Sequence, residues 1–337
     1  MIANKTDKRV MPSVAYHYRQ EGCAFSLEQV FSDVRGALSE GIQQEAFYCP
    51  HRRASPSAMW ANVRQARRSQ CVVNHITGEV HYLALALPRR GLVLTIHDSG
   101  DTNAFRGWKQ AIFRCLWYTW PIRRAAAVTF ISTFARESVE SLVGFPIKHA
   151  WVIPDPVSAR FVYSPKVFPE SNPRVLCLGT KTNKNIERLA EAVGGLPVEL
   201  RIIGQLSESQ NAALAKHGVR YTTAAKLTAD EIFEEYQAAD IVSLVSTFEG
   251  FGLPIVEGQA IGRPVITSNT CAMPETAGEG ALLVDPMSVD DIREGMKRLL
   301  AEPSLRADLI EKGLANAQRF TASSVARQYE AVYAAIA

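Results

Sequence analysis

The chain has 337 residues and a net charge of +3, with 47% hydrophobic and 21% charged residues. That length exceeds what one hydrophobic core usually serves, so two domains of roughly 150 residues are expected in an ordinary soluble globular protein. No apolar run reaches the roughly 18 residues needed to span a bilayer, and residues 1–20 lack the apolar core of a signal peptide, so a cytoplasmic location is expected.

Short apolar runs alternate with amphipathic stretches along the whole sequence, which predicts strand-helix-strand units and parallel sheets. In the first half, strands are expected at 12–19, 45–50, 71–76, 91–98, 127–132 and 150–154, with helices at 26–39, 57–68, 107–124 and 133–143. Residues 154–173 carry five prolines and no period, and read as a linker. Strand periodicity resumes at Arg174, with strands at 174–179, 198–204, 241–245, 264–268 and 281–285. Helical patterns at 184–194, 207–217, 228–239, 254–262 and 288–300 lie between them, and two more close the chain at 303–319 and 322–336. The expected division is 1–153, a linker at 154–173, 174–320, and a terminal helix at 321–337 that could reach back to the first domain.

Open α/β sheets place ligands on loops that follow their strands. The rule selects residues 96–101, 178–185, 202–208 and 246–254. In the last of these, "STFEGFGLP", Gly250 and Gly252 let the backbone approach a ligand, and Pro254 suits the first helical turn. The bare amides of a helix start form an anion site. Glu249 on the loop and Glu257, expected in the first turn, would repel phosphate, so sugar hydroxyls are their natural donors. A dipole-favouring role for Glu257 and a solvated one for Glu249 remain the alternatives. The turn at Gly179 is followed by Lys181 and Lys184, which suit a diphosphate or a solvated helix entry. His97 ends an apolar strand next to Asp98, where an imidazole can supply a hydrogen bond or a proton, or serve structure alone.

The six cysteines, Cys23, Cys49, Cys71, Cys115, Cys177 and Cys271, form no C-x-x-C pair and suggest neither a zinc site nor a disulfide framework. Charge is unevenly spread: residues 1–150 carry +8 and residues 151–337 carry −5. Residues 105–124, "FRGWKQAIFRCLWYTWPIRR", hold five basic residues, three tryptophans and no acid, the composition of a helix against an anionic membrane or of a core helix with snorkelling arginines.

"FEGFGLPIVEGQAIGRPVITSN" followed by "MPETAGEGALLVDP" resembles the donor-site signature of retaining family 4 glycosyltransferases of the GT-B fold. "TIHD", "ISTFARESV", "WVIPDPV" and "GTKTNKNIERLAEAV" match family segments in the same order, over residues 71–300. The resemblance implies an α/β chain of two Rossmann-like, doubly wound parallel-sheet domains facing across a cleft. It implies that Glu249 contacts the donor sugar, that Glu257 bonds the ribose, and that the amides of Phe251, Gly252 and Leu253 meet the sugar and diphosphate. Lys184 matches the phosphate-binding lysine, and His97, with Asp98 beside it, approaches from the acceptor side. The base is expected near Ala225, Lys226 and Leu227. Thr180 stands where many members carry arginine, leaving Lys181 or Lys184 to supply that charge. Before residue 70 the match is weak, and of the glycine-rich loop after the first strand only Gly22 remains.

The expected activity is transfer of a hexose from GDP-mannose or a UDP-sugar to a saccharide acceptor, lipid-linked and at the inner face of a bacterial membrane. Neither a metal nor another cofactor is expected, since no D-x-D motif appears. No nucleic-acid module is recognisable. A dinucleotide oxidoreductase would need G-x-G-x-x-G after an early strand, which neither half has. A GT-B epimerase and a non-catalytic nucleotide-sugar binder stay as alternatives.

Overall fold

The computed structural model describes residues 12–22, 25–53, 55–98 and 107–337. The start of the chain through residue 11, Cys23, residues 99–101 after Asp98, and residues 105–106 of the basic segment lie outside the described residues. The chain falls into two units. The first comprises residues up to Ile131, Ala135–Ile153 and Val325–Ala337; the second comprises Ser132–Phe134 and Pro154–Ser324.

In the first unit β1 (Val14–Tyr18), β2 (Gln44–Tyr48), β3 (Val73–Ile76), β4 (Leu92–Ile96), β5 (Ala127–Phe130) and β6 (Ala150–Val152) form one parallel sheet in the order β2-β1-β3-β4-β5-β6. All residues of β1, β3, β4 and β5 are buried, the pattern of a parallel sheet covered on both faces. Its helices are α1 (Phe25–Gly36), α2 (Pro56–Arg68), α3 (Trp108–Arg114), α4 (Trp120–Arg124) and α5 (Thr133–Val143). The single helix expected at 107–124 is two helices joined by a wider π turn at Cys115–Thr119. Pro121 explains the break: its ring would clash with the carbonyl four residues back, and the turn widens so that Trp120 N–H bonds Cys115 instead.

The second sheet contains β7 (Arg174–Leu178), β8 (Glu199–Ile203), β9 (Arg220–Ala224), β10 (Ile241–Leu244), β11 (Val265–Ser268) and β12 (Leu282–Val284), all parallel in the order β12-β11-β10-β7-β8-β9. Around it run α6 (Ile186–Val193), α7 (Glu208–Lys216), α8 (Ala229–Ala238), α9 (Leu253–Ile261), α10 (Met273–Ala277), α11 (Val289–Ala301) and α12 (Pro303–Ala317). β9 and α10 are additional to the elements expected from the sequence. Residues 154–173 carry no helix or strand apart from a bridge between Val157 and Thr321, and they are strapped onto this unit. Phe161 packs edge-on against Phe233 and Tyr236, and Lys166 pairs with Asp240 at 2.7 Å.

The last helix, α13 (Ala322–Ile336), counts with the first unit from Val325 onward. It buries Val325, Ala326, Tyr329, Val332 and Tyr333 against the β1 core. A polar chain threads that contact. The Tyr333 hydroxyl lies 2.9 Å from the Tyr16 hydroxyl and 2.8 Å from His75 Nδ1, while His75 Nε2 meets Thr95 Oγ1 at 2.6 Å. Thr95 in turn meets Thr129 at 2.6 Å.

Candidate functional site

In the second sheet the chain leaves β7 toward β8 on one side and returns at β10 on the other, so the loops after β7 and β10 flank the switch in strand order. The loop after β7 begins at Gly179, φ 87°, whose missing Cβ leaves room for Lys184: a Cβ there would lie 2.9 Å from Lys184 Cε. A short 3-10 turn, Thr182–Lys184, then brings the lysine back over the glycine. Asn185 follows in the left-handed conformation, φ 60°, and its buried amide donates to the Val245 and Pro286 carbonyls at 3.0 and 2.8 Å. The two loops are thereby locked together.

The loop after β10 carries Glu249. Its Oε1 accepts from Lys184 Nζ at 2.7 Å and from Ser246 Oγ at 2.7 Å, with Asn183 Nδ2 at 3.4 Å. Asn183 also donates to the Phe248 carbonyl at 2.8 Å and accepts from Thr247 N–H at 2.8 Å. Three donors converge on one carboxylate oxygen, which fixes the direction of the other. Gly252, φ 94°, ends the loop in a conformation that strains any other residue, and α9 starts immediately after it. The Leu253 amide is among the first N–H groups of that helix, which have no partner inside it.

Glu257 is the fifth residue of α9 and so lies in the second turn, not the first as the spacing predicted, because the helix starts at Leu253. The helix dipole there is weak and a different force governs. Burial pushes the Glu257 carboxyl up to about 7, against the lowering effects of a bond donated by the Tyr236 hydroxyl and of the Lys184 charge. Tyr236 is fully buried on α8, and its own hydroxyl is raised well above its ordinary value by burial and then by the Glu257 charge.

Lys184 thus sits within electrostatic reach of both glutamates, and Gly179, Glu249, Gly250, Gly252 and Leu253 lie on the two joined loops. Phe251 turns its ring into the core against Phe320, so only its main chain is available to a ligand. The Gly250 carbonyl accepts from Ser132 Oγ at 2.6 Å. Thr180 bonds the Gln205 carbonyl at 2.8 Å, next to an open recess of about 410 Å³ at the ends of β8 and β9. Leu206, Asn211, Tyr221, Thr223 and Ala225 are among its lining residues. Lys226, exposed with φ 58°, and Leu227 follow Ala225 but do not line it. Lys181 is exposed on the turn.

His97 and Asp98 belong to the first unit, at the end of β4. The His97 Nε2 lies 2.9 Å from the Thr77 carbonyl, which can only accept, so that nitrogen carries the proton. Asp98 is exposed. The sequence reading missed Asn183, Ser246 and Tyr236; the first two sit within three residues of named candidates, whereas Tyr236 carries no local signal at all. Among the described residues no group of acids, histidines or cysteines could hold a metal.

Two family models match the chain, Glycosyltransferase Family 4 over residues 25–161 and Glycosyl transferases group 1 over residues 164–315. The O-antigen chain mannosyltransferase B of Escherichia coli is 28% identical over 225 residues, which cover 58% of this chain and 57% of that protein. The MMP alpha-(1->4)-mannosyltransferase of Mycolicibacterium hassiacum is 33% identical over 162 residues, 44% of this chain and 39% of that one. A D-inositol 3-phosphate glycosyltransferase of Corynebacterium aurimucosum is 36% identical over 106 residues, 31% of this chain and 25% of its own. The chain spans less than two thirds of the length of each of these relatives.

Among solved structures, sucrose-phosphate synthase from Thermosynechococcus elongatus superposes with a TM-score of 0.77 at 17% identity, covering 96% of this chain and 98% of that one. Anabaena Alr3699/HepE in complex with UDP and glucose gives 0.76 at 17% identity, covering 96% and 99%. The two doubly wound parallel sheets are therefore those of the GT-B glycosyltransferase fold. Between them the two models account for both halves of the chain, which resembles glycosyltransferase family 4 in its first half and glycosyl transferases group 1 in its second.

Proposed function

We propose that the protein is a metal-independent retaining hexosyltransferase using a nucleotide diphosphate sugar. The observation that carries this reading is the placement of Lys184 beside Glu249 and Glu257 at the start of α9. On this reading a diphosphate displaces the lysine from Glu249 and meets the Gly252 and Leu253 amides, and Glu249 and Glu257 turn to sugar and ribose hydroxyls. The base enters the recess beside Ala225. A relative named as a mannosyltransferase and a neighbour holding UDP support GDP-mannose and UDP-sugars as the donors to test first.

The proposed step is a same-face substitution. The bond from the sugar's anomeric carbon to the diphosphate oxygen breaks as the acceptor oxygen bonds that carbon from the same side. The acceptor's hydroxyl proton passes to the departing phosphate oxygen. Lys184 and the helix amides hold the charge that builds on the leaving group, and removing one such donor typically slows a reaction about 10²- to 10³-fold. His97 and Asp98 are assigned to the acceptor side.

The acceptor is proposed to be a saccharide, lipid-linked, met at the inner face of the cytoplasmic membrane. No described helix is long and apolar enough to cross a membrane. Support for peripheral contact comes from residues 108–124, where Trp108, Ile112 and Trp120 are 70%, 48% and 49% exposed beside the exposed Lys109, Arg114 and Arg123. Trp117, by contrast, is anchored by its indole N–H to the Glu79 carbonyl at 2.8 Å.

A thermal-shift and turnover screen with UDP-, GDP- and dTDP-sugars, with and without lipid extract, tests the reading. Nucleotide stabilisation with neither donor hydrolysis nor transfer would leave a non-catalytic binder. Stabilisation by NAD alone would end the proposal.

A further inference from the structure

The first unit holds a second recess, of about 480 Å³, beyond the ends of β1 and β2. Gln20, His51, Arg52, Arg53, Ser55 and Ser57 line it, and among the described residues no carboxylate does. The bend that carries the cations is held from within. Asn62, buried on α2, accepts the His51 N–H at 3.1 Å and donates to the His51 carbonyl at 2.9 Å and to the Tyr82 hydroxyl at 2.7 Å. The main chain leading into Arg52 and Arg53 is therefore pinned to a buried side chain.

Several other arginines of this unit have partners. Arg19 pairs with Glu79, Arg136 with Glu140 at 3.1 Å, and Arg124 donates to the Ala84 and Leu87 carbonyls at 2.9 and 3.0 Å. Among the described residues, Arg52 and Arg53 meet neither a carboxylate nor a carbonyl. Two adjacent guanidiniums, an imidazole, two hydroxyls and an amide give a concavity rich in donors, with no carboxylate among its described lining residues. Its chemistry fits tetrahedral oxyanion recognition, for which the guanidinium fork is suited. The size suits a small molecule, and the ends of parallel strands are where open α/β sheets take ligands.

We propose that this recess binds the phosphate group of a second ligand, separate from the nucleotide diphosphate assigned to the Lys184 site. Its identification as a phosphorylated acceptor rests on the glycosyltransferase reading; the anion site does not.

Isothermal titration calorimetry on the full chain tests the site, with inorganic phosphate, mannose 6-phosphate and mannose as probes and with UDP, then GDP, present to fill the donor site. The parent should bind both phosphates and not mannose. The double variant Arg52→Gln/Arg53→Gln should weaken phosphate binding at least about tenfold, the order of one lost charge-assisted contact, while its nucleotide affinity and melting temperature stay unchanged. Equal phosphate affinity in parent and variant, or none in the parent, overturns the proposal. Competition by phosphatidylglycerol vesicles, with none by phosphatidylcholine vesicles, would assign the phosphate to a lipid headgroup; absence of competition would assign it to a soluble ligand. Arginine-dependent phosphate binding in a protein that transfers no sugar would retain the site and remove the acceptor assignment.

Discussion

Tyr236→Phe separates a positioning role for the buried hydroxyl from a purely structural one. Burial holds Glu257 at about 7, and the bond donated by Tyr236 is the first of the effects keeping it from rising further, with the Lys184 charge the second. Removing a hydrogen bond to a charged group is worth about 1.5–3 kcal/mol, which moves the carboxyl up by about one to two units. If the ribose is bonded by the ionised carboxylate, nucleotide affinity rises with pH through this value. At pH 7 the parent is about half ionised and the variant only about 1–10%, so nucleoside diphosphate binding should weaken about 5- to 50-fold there. The deficit should largely close by pH 9. Titration calorimetry from pH 5.5 to 9 reads the displaced midpoint, while turnover at saturating donor and high pH should stay near the parent's. Curves for parent and variant that run parallel at every pH would refute the reasoning, since a packing defect lowers affinity without moving the midpoint.

Glu257→Gln should stabilise the unliganded protein at pH 8 and not at pH 4. The folded carboxyl lies above its ordinary 4.5, so the native state binds more protons between 4.5 and about 7 and loses stability as pH rises through that window, by about 3 kcal/mol at the top; urea denaturation at both pH values checks it. Glu249→Ala should abolish transfer while sparing nucleoside diphosphate binding, measured by parallel turnover and calorimetry, and loss of binding alone would contradict its assignment to the sugar. Burial depresses His17 and His81 to about 4 and His75 to about 3. Their stabilising neutral forms are fully present above 6.5, and stability falls as pH drops through the window below it, by about 2 kcal/mol for each group at pH 5; denaturant midpoints at pH 7.5 and 5 test this. Trp108→Ala with Trp120→Ala and Arg123→Ala should reduce sedimentation with anionic vesicles, and an unchanged profile would remove the membrane contact.

Much of this architecture was legible because buried parallel strands are short apolar runs: the six strands of the first sheet and five of the second stand out that way. The sixth, β9, did not. It is an edge strand, "RYTTA", paired only with β8 and largely exposed, so no apolar run marks it. Met273–Ala277 is five residues, too short to show a helical period. The break within 108–124 was signalled by Pro121, but the wide turn that absorbs it depends on local hydrogen bonding rather than on composition.

At the proposed donor site the legible residues are those whose backbone or charge is unusual for its place. Gly179 and Gly252 stand at turns, Lys184 at a helix entry, and Glu249 on a loop between strand and helix. Tyr236 had no such mark, because an aromatic on the inner stripe of an amphipathic helix reads as core, and its ring is indeed core. What matters is the hydroxyl at the end of that ring, reaching a carboxylate 21 positions away on the next helix. The same distance from sequence explains the misplaced emphasis on the helix dipole for Glu257. A dipole is a property of position along one helix, whereas desolvation is a property of everything packed around the group, and here burial is the larger effect. A half-neutral Glu257 and a Glu249 already paired with Lys184 leave the empty site with little uncompensated charge. On the proposed reading an arriving diphosphate competes with Glu249 for Lys184, so part of the electrostatic attraction that draws it in is spent in breaking that ion pair.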